Sequence, residues 1–227
     1  MAADLRTQPG PHVFVADLEH PELSDDDRHH LAKSLRLRSG DALTISNGTG
    51  GWRTAIFGDA VEPSGPVHDV AVPAYELGLG IALTKAAKPE FAVQKATELG
   101  IDTIVVFAAE HSVARWDEHK RAKNQPRLER VAREAAMQSR RVTIPTVFIA
   151  EDLAAVAQQH PVVRADFGGA ALDASHRFLL IGPEGGWSTA ETELVPAAVD
   201  LGSTVLRAET AAVVGAAFLT HHRSQND

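Results

Sequence analysis

Gly182-Pro183-Glu184-Gly185-Gly186 follows the apolar run Phe178 to Ile181 and runs into Trp187-Ser188. An apolar run that breaks into glycines reads as a buried strand feeding a tight loop. Glycine at 182, 185 and 186 gives the backbone left-handed conformations or lets another group come close. Ser188 with Glu191 three positions on has the pattern of a capping box, so a helix is expected to begin there. Strand, glycine loop and helix start is where α/β proteins hold small ligands. A second element of this kind follows. Val205-Leu206 is expected to end a short strand, and Thr210 to cap an apolar helix from Ala211 to about Thr220. The two loops together can enclose one ligand with main-chain amides and carbonyls. Glu184 and Glu209 are the carboxylates nearest this chemistry. Each can accept a proton or act locally, Glu184 on an amide of its own loop and Glu209 on Arg207.

Other chemistries find little support. There is no cysteine, hence no disulfide framework, thiolate nucleophile or thiolate metal site. The eleven histidines include the adjacent pairs His29-His30 and His221-His222, which lack the spacing of helix-borne metal ligands, and no metal is expected. Neither Gly-x-Gly-x-x-Gly nor a Walker sequence occurs, so dinucleotide and nucleoside triphosphate readings are unsupported. No apolar run reaches membrane-spanning length, and Met1 to Pro11 lacks the apolar region of a signal peptide, so a cytoplasmic protein without a membrane partner is expected.

The formal charge of −8 over 227 residues argues against a generally basic nucleic-acid binder. Its distribution matters more. Arg115, Lys120, Arg121, Lys123, Arg127, Arg130, Arg133, Arg140 and Arg141 fall in one stretch, while acidic residues gather elsewhere, as at Asp25-Asp26-Asp27. Such a stretch is either a solvated helix face or a nucleic-acid contact. Little acidic interleaving separates Arg130, Arg133, Arg140 and Arg141, and Arg140-Arg141 is expected on a loop, which favours RNA contact.

The elements that position these residues fall into two groups. Up to about residue 73 the chain reads as short strands around one helix. His12 to Val15 is a strand, Ser24 caps a helix through Leu31 and Leu35, and Asp41 to Ser46 alternates as a half-buried strand. Asn47 to Gly51 is a hairpin turn, Trp52 to Val61 its return strand, and Val67 to Val72 another. This suggests a small barrel. From 74 onward, apolar strands at Ile81–Leu83, Ile104–Phe107, Val147–Ile149, Val162–Val163 and Phe178–Ile181 alternate with helices. One of these helices starts at Pro89 and ends at Gly100. Another buries Leu128, Val131, Ala132, Ala135 and Ala136 on one face. That alternation predicts an α/β domain with a parallel sheet covered on both faces.

Several of these segments resemble one family, the bacterial 16S ribosomal RNA (uracil-N3)-methyltransferases of the SPOUT class. The resemblance is carried by Gly-Pro-Glu-Gly-Gly at 182–186 and Leu-Arg-Ala-Glu-Thr-Ala at 206–211. It extends through Lys85-Ala86-Ala87-Lys88-Pro89-Glu90 and Gln94-Lys95-Ala96-Thr97-Glu98-Leu99-Gly100. Glu134-Ala135-Ala136, Gln138-Ser139, Arg141 and Pro145 fit as well, as do His30-Leu31, Leu35-Arg36-Leu37 and Gly40-Asp41. His12 and His111 stand where the family pattern has arginine, which leaves the roles of those two positions open.

The resemblance implies a PUA-like β-barrel over residues 1–73 and a SPOUT domain over 74–227 with a C-terminal trefoil knot. No sequence pattern shows the knot, and topology rules disfavour threaded chains. It implies S-adenosylmethionine as cofactor, held by Leu180, Ile181, Gly182, Gly185, Gly186, Trp187, Leu201, Gly202, Leu206 and Thr210. It implies 16S rRNA or the small ribosomal subunit as partner, contacted by Arg36, Lys85, Lys88, Arg133, Arg140 and Arg141. The implied reaction is methylation of uridine N3, with Arg207 stabilising charge on the uracil and Glu209 or Glu184 taking the proton. A homodimer is expected, because Ala211 to Leu219 is apolar on more than one face. Two rivals remain at this point: a non-catalytic RNA-binding assembly factor with the same fold, and a ribose 2′-O-methyltransferase of the same superfamily.

Overall fold

The computed structural model describes residues 4–71, 73–84 and 89–225. The chain divides into two units, one of Met1–Val72 with Ala136–Ile144, the other of Pro73–Ala135 with Pro145–Asp227. The segment 136–144, expected with the second domain, thus groups with the first.

In the first unit β1 (His12–Phe14), β2 (Ala42–Ser46), β3 (Gly51–Ile56) and β4 (Glu62–Pro63) lie side by side. A fifth strand, β5 (His68–Asp69), pairs with β3. β1 and β2 are parallel and the remaining pairs antiparallel. The hairpin at Asn47 forms as expected, but the return strand stops at Ile56, and the strand expected over Val67–Val72 is two residues long. Val67 and Val70 are exposed, so no burial holds that segment in a ladder. A small barrel was expected; among the described residues no ladder joins β1 to β4. Ser24 caps α1 (Asp25–His29) by accepting from the Asp27 amide at 3.1 Å, and the helix runs on as a single π turn, His30–Ser34.

β2 was expected to bury one face. Both are buried, because 141–143 covers the polar one. Ser46 Oγ donates to the Val142 carbonyl at 2.9 Å, and Gly50 N–H reaches the same carbonyl at 3.3 Å. Buried His12 lies 3.0 Å from both Thr44 Oγ1 and the Arg141 carbonyl. A carbonyl can only accept, so Nε2 carries the proton and Nδ1 accepts from the Thr44 hydroxyl. His12 is therefore a packing residue inside this unit. Burial pushes its pKa down to about 4, with the Arg141 carbonyl opposing and the nearby Arg140 charge assisting.

Arg140 has the same kind of role. α3 (Glu118–Gln138) ends in a Schellman turn, with Arg141 N–H bonded to the Ala136 carbonyl at 2.9 Å and Arg140 N–H to Met137 at 3.2 Å. Arg140 occupies the left-handed position at φ 57°, where glycine is usual. Its guanidinium explains the choice: it donates to the carbonyls of Leu5, Gln8 and Gly10 and ties down the start of the chain.

The second unit is a six-stranded sheet, all parallel, in the order β11-β9-β10-β6-β7-β8. The strands are β6 (Gly78–Ala82), β7 (Thr103–Ala108), β8 (Thr146–Asp152), β9 (Val163–Ala171), β10 (Phe178–Ile181) and β11 (Ala198–Asp200). Alternate residues of the central strands feed two cores. Leu79, Ile81, Ile104, Val106, Leu179 and Ile181 pack with α2 (Pro89–Leu99), α3 and α6 (Ala208–Ser224). Val105, Phe107, Phe178 and Leu180 pack on the other side with α4 (Leu153–Gln159) and with Val195 just after α5 (Thr189–Leu194). Gly78 and Gly80 make room: a Cβ on the first would overlap the Phe178 ring, and one on the second would lie 2.5 Å from Leu180. On the opposite face Gly215 lets α6 approach, since a Cβ there would overlap Leu179. Val205-Leu206 is not a strand, and α6 begins at Ala208, earlier than expected. Its N-cap is Arg207 and not Thr210, which sits in the first turn.

Two outcomes are expected. Gly215→Val drives a branched side chain into β10 and should lower the urea-unfolding free energy by about 3 kcal/mol. For His12, the folded pKa of about 4 lies below the unfolded 6.5, so the unfolded chain binds the extra proton. Its contribution is constant above about pH 6.5 and is lost as pH falls toward 4. Wild type should therefore lose about 2 kcal/mol more than His12→Asn between pH 7 and pH 5 in urea titrations.

Candidate functional site

Because every strand of the second sheet is parallel, the segments leaving β6, β7, β10 and β11 emerge at one edge. From β6 the chain runs outward through β7 and β8, while β10, β9 and β11 lie on the other side, so strand order reverses between β6 and β10. Open α/β sheets take ligands beyond the carboxyl ends at such a reversal. The glycine loop leaves β10 there. The segment leaving β6 leads to Lys85 and Lys88, which lie outside the described residues.

The three glycines of the loop answer to three different constraints, all internal. A Cβ on Gly182 would lie 2.8 Å from the Trp187 indole. That indole turns back under the loop, donates from Nε1 to the Ala165 carbonyl at 2.9 Å, and stacks on Phe107 at 6.3 Å. Trp187 is thus the floor of the loop. A Cβ on Gly185 would lie 2.9 Å from the His111 Cβ. Gly186 has φ 73°. Leu180 and Ile181, the last residues of β10, are buried in the two cores and offer only their main chain.

The expected capping box is present. Ser188 Oγ accepts from Glu191 N–H at 3.2 Å, and Ser188 N–H reaches Glu191 Oε2 at 2.9 Å. Glu191 does more than the motif requires: its other oxygen accepts the Glu110 amide at 2.9 Å. One buried carboxylate therefore ties the end of the glycine loop to the segment after β7. On that segment His111 Nδ1 lies 3.2 Å from the Gly185 carbonyl and 3.1 Å from that of Gly186. Position 111, open in the sequence, is thus a contact to the glycine loop.

The second loop hangs on Asp200. Its carboxylate accepts the amides of Gly202 at 3.0 Å and Gly168 at 2.9 Å. These hydrogen bonds hold the Asp200 pKa below the usual carboxylate range. Nothing in the spacing of Asp200 and Gly168 announced this pairing. It arises where β9 bulges within its ladder to β11, between Arg164 and Ala170, and Gly202 there has φ 144°. Leu201 and Leu206 pack partly on the core beside α6, and Val205 stands 91% exposed between them. Arg207 caps α6 without a side-chain hydrogen bond, so first-turn amides of a 17-residue helix stay open. The side chains of Arg207, Glu184 and Glu209 make no hydrogen bond or ion pair with a described residue, although the Arg207 carbonyl accepts the Ala211 amide at 2.8 Å. Of the two alternatives left open for Glu209, the local pairing with Arg207 is absent among those residues.

Of the other expected RNA contacts, Arg36 is exposed in the first unit, held at φ 59°. Arg133 and Arg141 are half-buried, and the Arg140 guanidinium is committed to main-chain carbonyls. A cavity of about 380 Å³, not anticipated from the sequence, opens at the ends of β7 and β8. It is lined by Glu110, Arg115, Glu151, Leu153 and Leu194 among others. It shares Glu191 with the glycine loop but none of the residues expected to hold a cofactor. No helix among the described residues is long and apolar enough to cross a membrane.

Known proteins resemble this chain in sequence and in fold. The model of an RNA methyltransferase domain matches residues 72–220, and that of an RNA methyltransferase PUA domain matches residues 23–60. The ribosomal RNA small subunit methyltransferase E of Mycobacterium bovis is 32% identical over 217 residues, spanning 83% of this chain and 81% of that protein. Its counterpart in Rickettsia conorii is 31% identical over 229 residues, spanning 89% and 90%. In fold, the chain is similar to the ribosomal RNA small subunit methyltransferase E from Neisseria gonorrhoeae solved bound to S-adenosyl methionine. The TM-score is 0.73 at 23% identity, covering 91% of this chain and 95% of that one.

Proposed function

For a chain that belongs to the RNA methyltransferase family, as this one does, we propose methylation of N3 of a uridine in 16S ribosomal RNA with S-adenosylmethionine as donor. The observation that carries the placement is the uncapped start of α6. Arg207, whose side chain has no partner among the described residues, is the N-cap of α6 ahead of open first-turn amides, after β11 at the carboxyl edge of the sheet that the glycine loop also leaves. The local chemistry fits the cofactor. Partly buried Leu201 and Leu206 and exposed Val205 offer apolar surface for an adenosine, and the open helix amides suit a carboxylate. When bound, S-adenosylmethionine supplies an electrophilic methyl on a sulfonium.

The residues then have distinct tasks. N3 must lose its proton as it gains the methyl, which leaves transient negative charge on the uracil oxygens. The Arg207 guanidinium and the positive end of α6 stabilise that charge. Glu209, in the same first turn, or Glu184, on the glycine loop, accepts the proton. N3 lies on the Watson–Crick edge, so the target uridine must be unpaired or extruded. Arg36, Lys85, Lys88, Arg133 and Arg141 supply the charge that holds the RNA, and the first unit acts as a PUA-like RNA-binding module in the cytoplasm.

The same reading includes a trefoil knot. It is supported by the course of the chain, which passes from β10 out to β11 at the sheet edge and then returns as α6 against α2, β6 and β10. It also includes a symmetric dimer. α6 buries Ala212, Ala216 and Leu219 in its own unit, yet Phe218 on another face is 42% exposed, with Val214 one turn before it. A second copy is the commonest way to cover such a stripe.

Deleting the gene should abolish N3-methyluridine in 16S rRNA, as measured by nucleoside mass spectrometry. Wild type should restore it, and Arg207→Ala should not, with its melting temperature within about 2 °C of wild type because no bond is lost. Loss of a ribose methyl instead would point to the 2′-O-methyltransferase, and unchanged nucleosides to the assembly factor; either refutes the proposal. Phe218→Glu should give a monomer by light scattering with methylation lost. A fully active monomer would exclude a dimer-completed site.

A further inference from the structure

We propose that His111 is a positioning residue that sets the shape of the glycine loop and thereby the affinity for S-adenosylmethionine. This rests on the cofactor being held at that loop. Gly185-Gly186 has no side chain with which to order itself, and glycine has the most backbone freedom to lose on ordering. Something outside the loop must select its conformation. His111 is placed to do so. Its Nδ1 faces two consecutive carbonyls, at 3.2 Å from Gly185 and 3.1 Å from Gly186. Both can only accept, so Nδ1 carries the proton and donates to each. In a planar trans peptide the carbonyl and the following amide point opposite ways. Drawing those carbonyls to His111 therefore aims the Trp187 amide away from it. The Gly186 amide is already spent on the Pro183 carbonyl at 2.9 Å.

The imidazole stands on a firm base. Ser112 closes a tight turn, its amide on the Ala109 carbonyl at 3.0 Å and its hydroxyl accepting the Ala109 amide at 3.0 Å. The Glu110 amide is fixed to buried Glu191 at 2.9 Å. Glu191 also holds Ser188, so the C-terminal end of the glycine loop is tied twice to the segment after β7. Contact is close enough that Gly185 tolerates no Cβ against His111. The His111 side chain is nonetheless exposed, so it can be replaced without opening a core.

The test uses the full-length protein. His111→Ala should leave the melting temperature within about 2 °C of wild type. It should speed amide exchange at Gly186, whose N–H is bonded to the Pro183 carbonyl, and weaken S-adenosylmethionine binding by calorimetry about tenfold, the effect of two exposed hydrogen bonds. kcat at saturating cofactor should stay near wild type while KM rises. Two further variants separate the donor from the bulk of the side chain. His111→Asn puts an amide N–H where Nδ1 was and should recover affinity, whereas His111→Gln carries its donor one bond too far and should not. Equal affinity of wild type and His111→Ala overturns the inference, as does faster exchange without weaker binding, or an Asn variant no better than Ala. If wild type itself fails to bind S-adenosylmethionine, the placement of the cofactor falls, and the inference with it.

Discussion

Phe178, Leu179, Leu180 and Ile181 are all buried between β9 and β6, and three of them take space that a neighbour gives up. Phe178 and Leu180 occupy the room left by Gly78 and Gly80, and Leu179 the room left by Gly215. Interiors are close-packed, so these complementary pairs allow one register of β10 against β6 and one seat for α6. The glycine loop starts one residue after Ile181, and the open start of α6 is held by the same packing. The placement of the site is therefore a consequence of how β10 is packed, and the loops supply only what is local.

Where local signals decide structure, the sequence was readable. β10 was visible as an apolar run cut off by glycine. Pro89 and Gly100 marked the two ends of α2, and Ser188 with Glu191 marked the start of α5. Where distant partners decide, it was not. Val205-Leu206 has the residue types of a strand, but among the described residues no strand pairs with it and Val205 is left in solvent. The polar residues of β2 looked exposed because the segment that covers them comes some hundred residues later. Arg140 looked like a free cation on a loop. Its left-handed backbone and its carbonyl partners near the start of the chain are matters of tertiary structure alone.

The glycine motif shows both sides of this. Its composition pointed to a ligand loop, as though a ligand required the missing side chains. In the folded chain the requirement comes from Trp187 beneath Gly182, from His111 beside Gly185 and from the turn at Gly186. The motif thus fits a loop made rigid by its neighbours in the fold, Trp187 beneath it and His111 beside it. Rigidity of that kind is what a reaction dominated by alignment needs, since methyl transfer calls for a nucleophile in line with the leaving group more than for acid or base strength.

The fastening of α6 has a consequence for how the protein is made. Near the end of that helix Arg223 pairs with Asp102 and donates to the carbonyls of Tyr75 and Gly100, and β10 must find β6 about a hundred residues upstream. Contacts of such long sequence separation make folding slow. A ribosome synthesising this chain releases the first strands of the second unit long before all their partners exist. β6 pairs early with β7, but its other edge stays open until β10 is made, and one of its faces stays uncovered until the last helix emerges. The edge that carries the glycine loop and the start of α6 is therefore the last part of the unit to be completed, and until then apolar surface of β6 and β7 stays open to solvent.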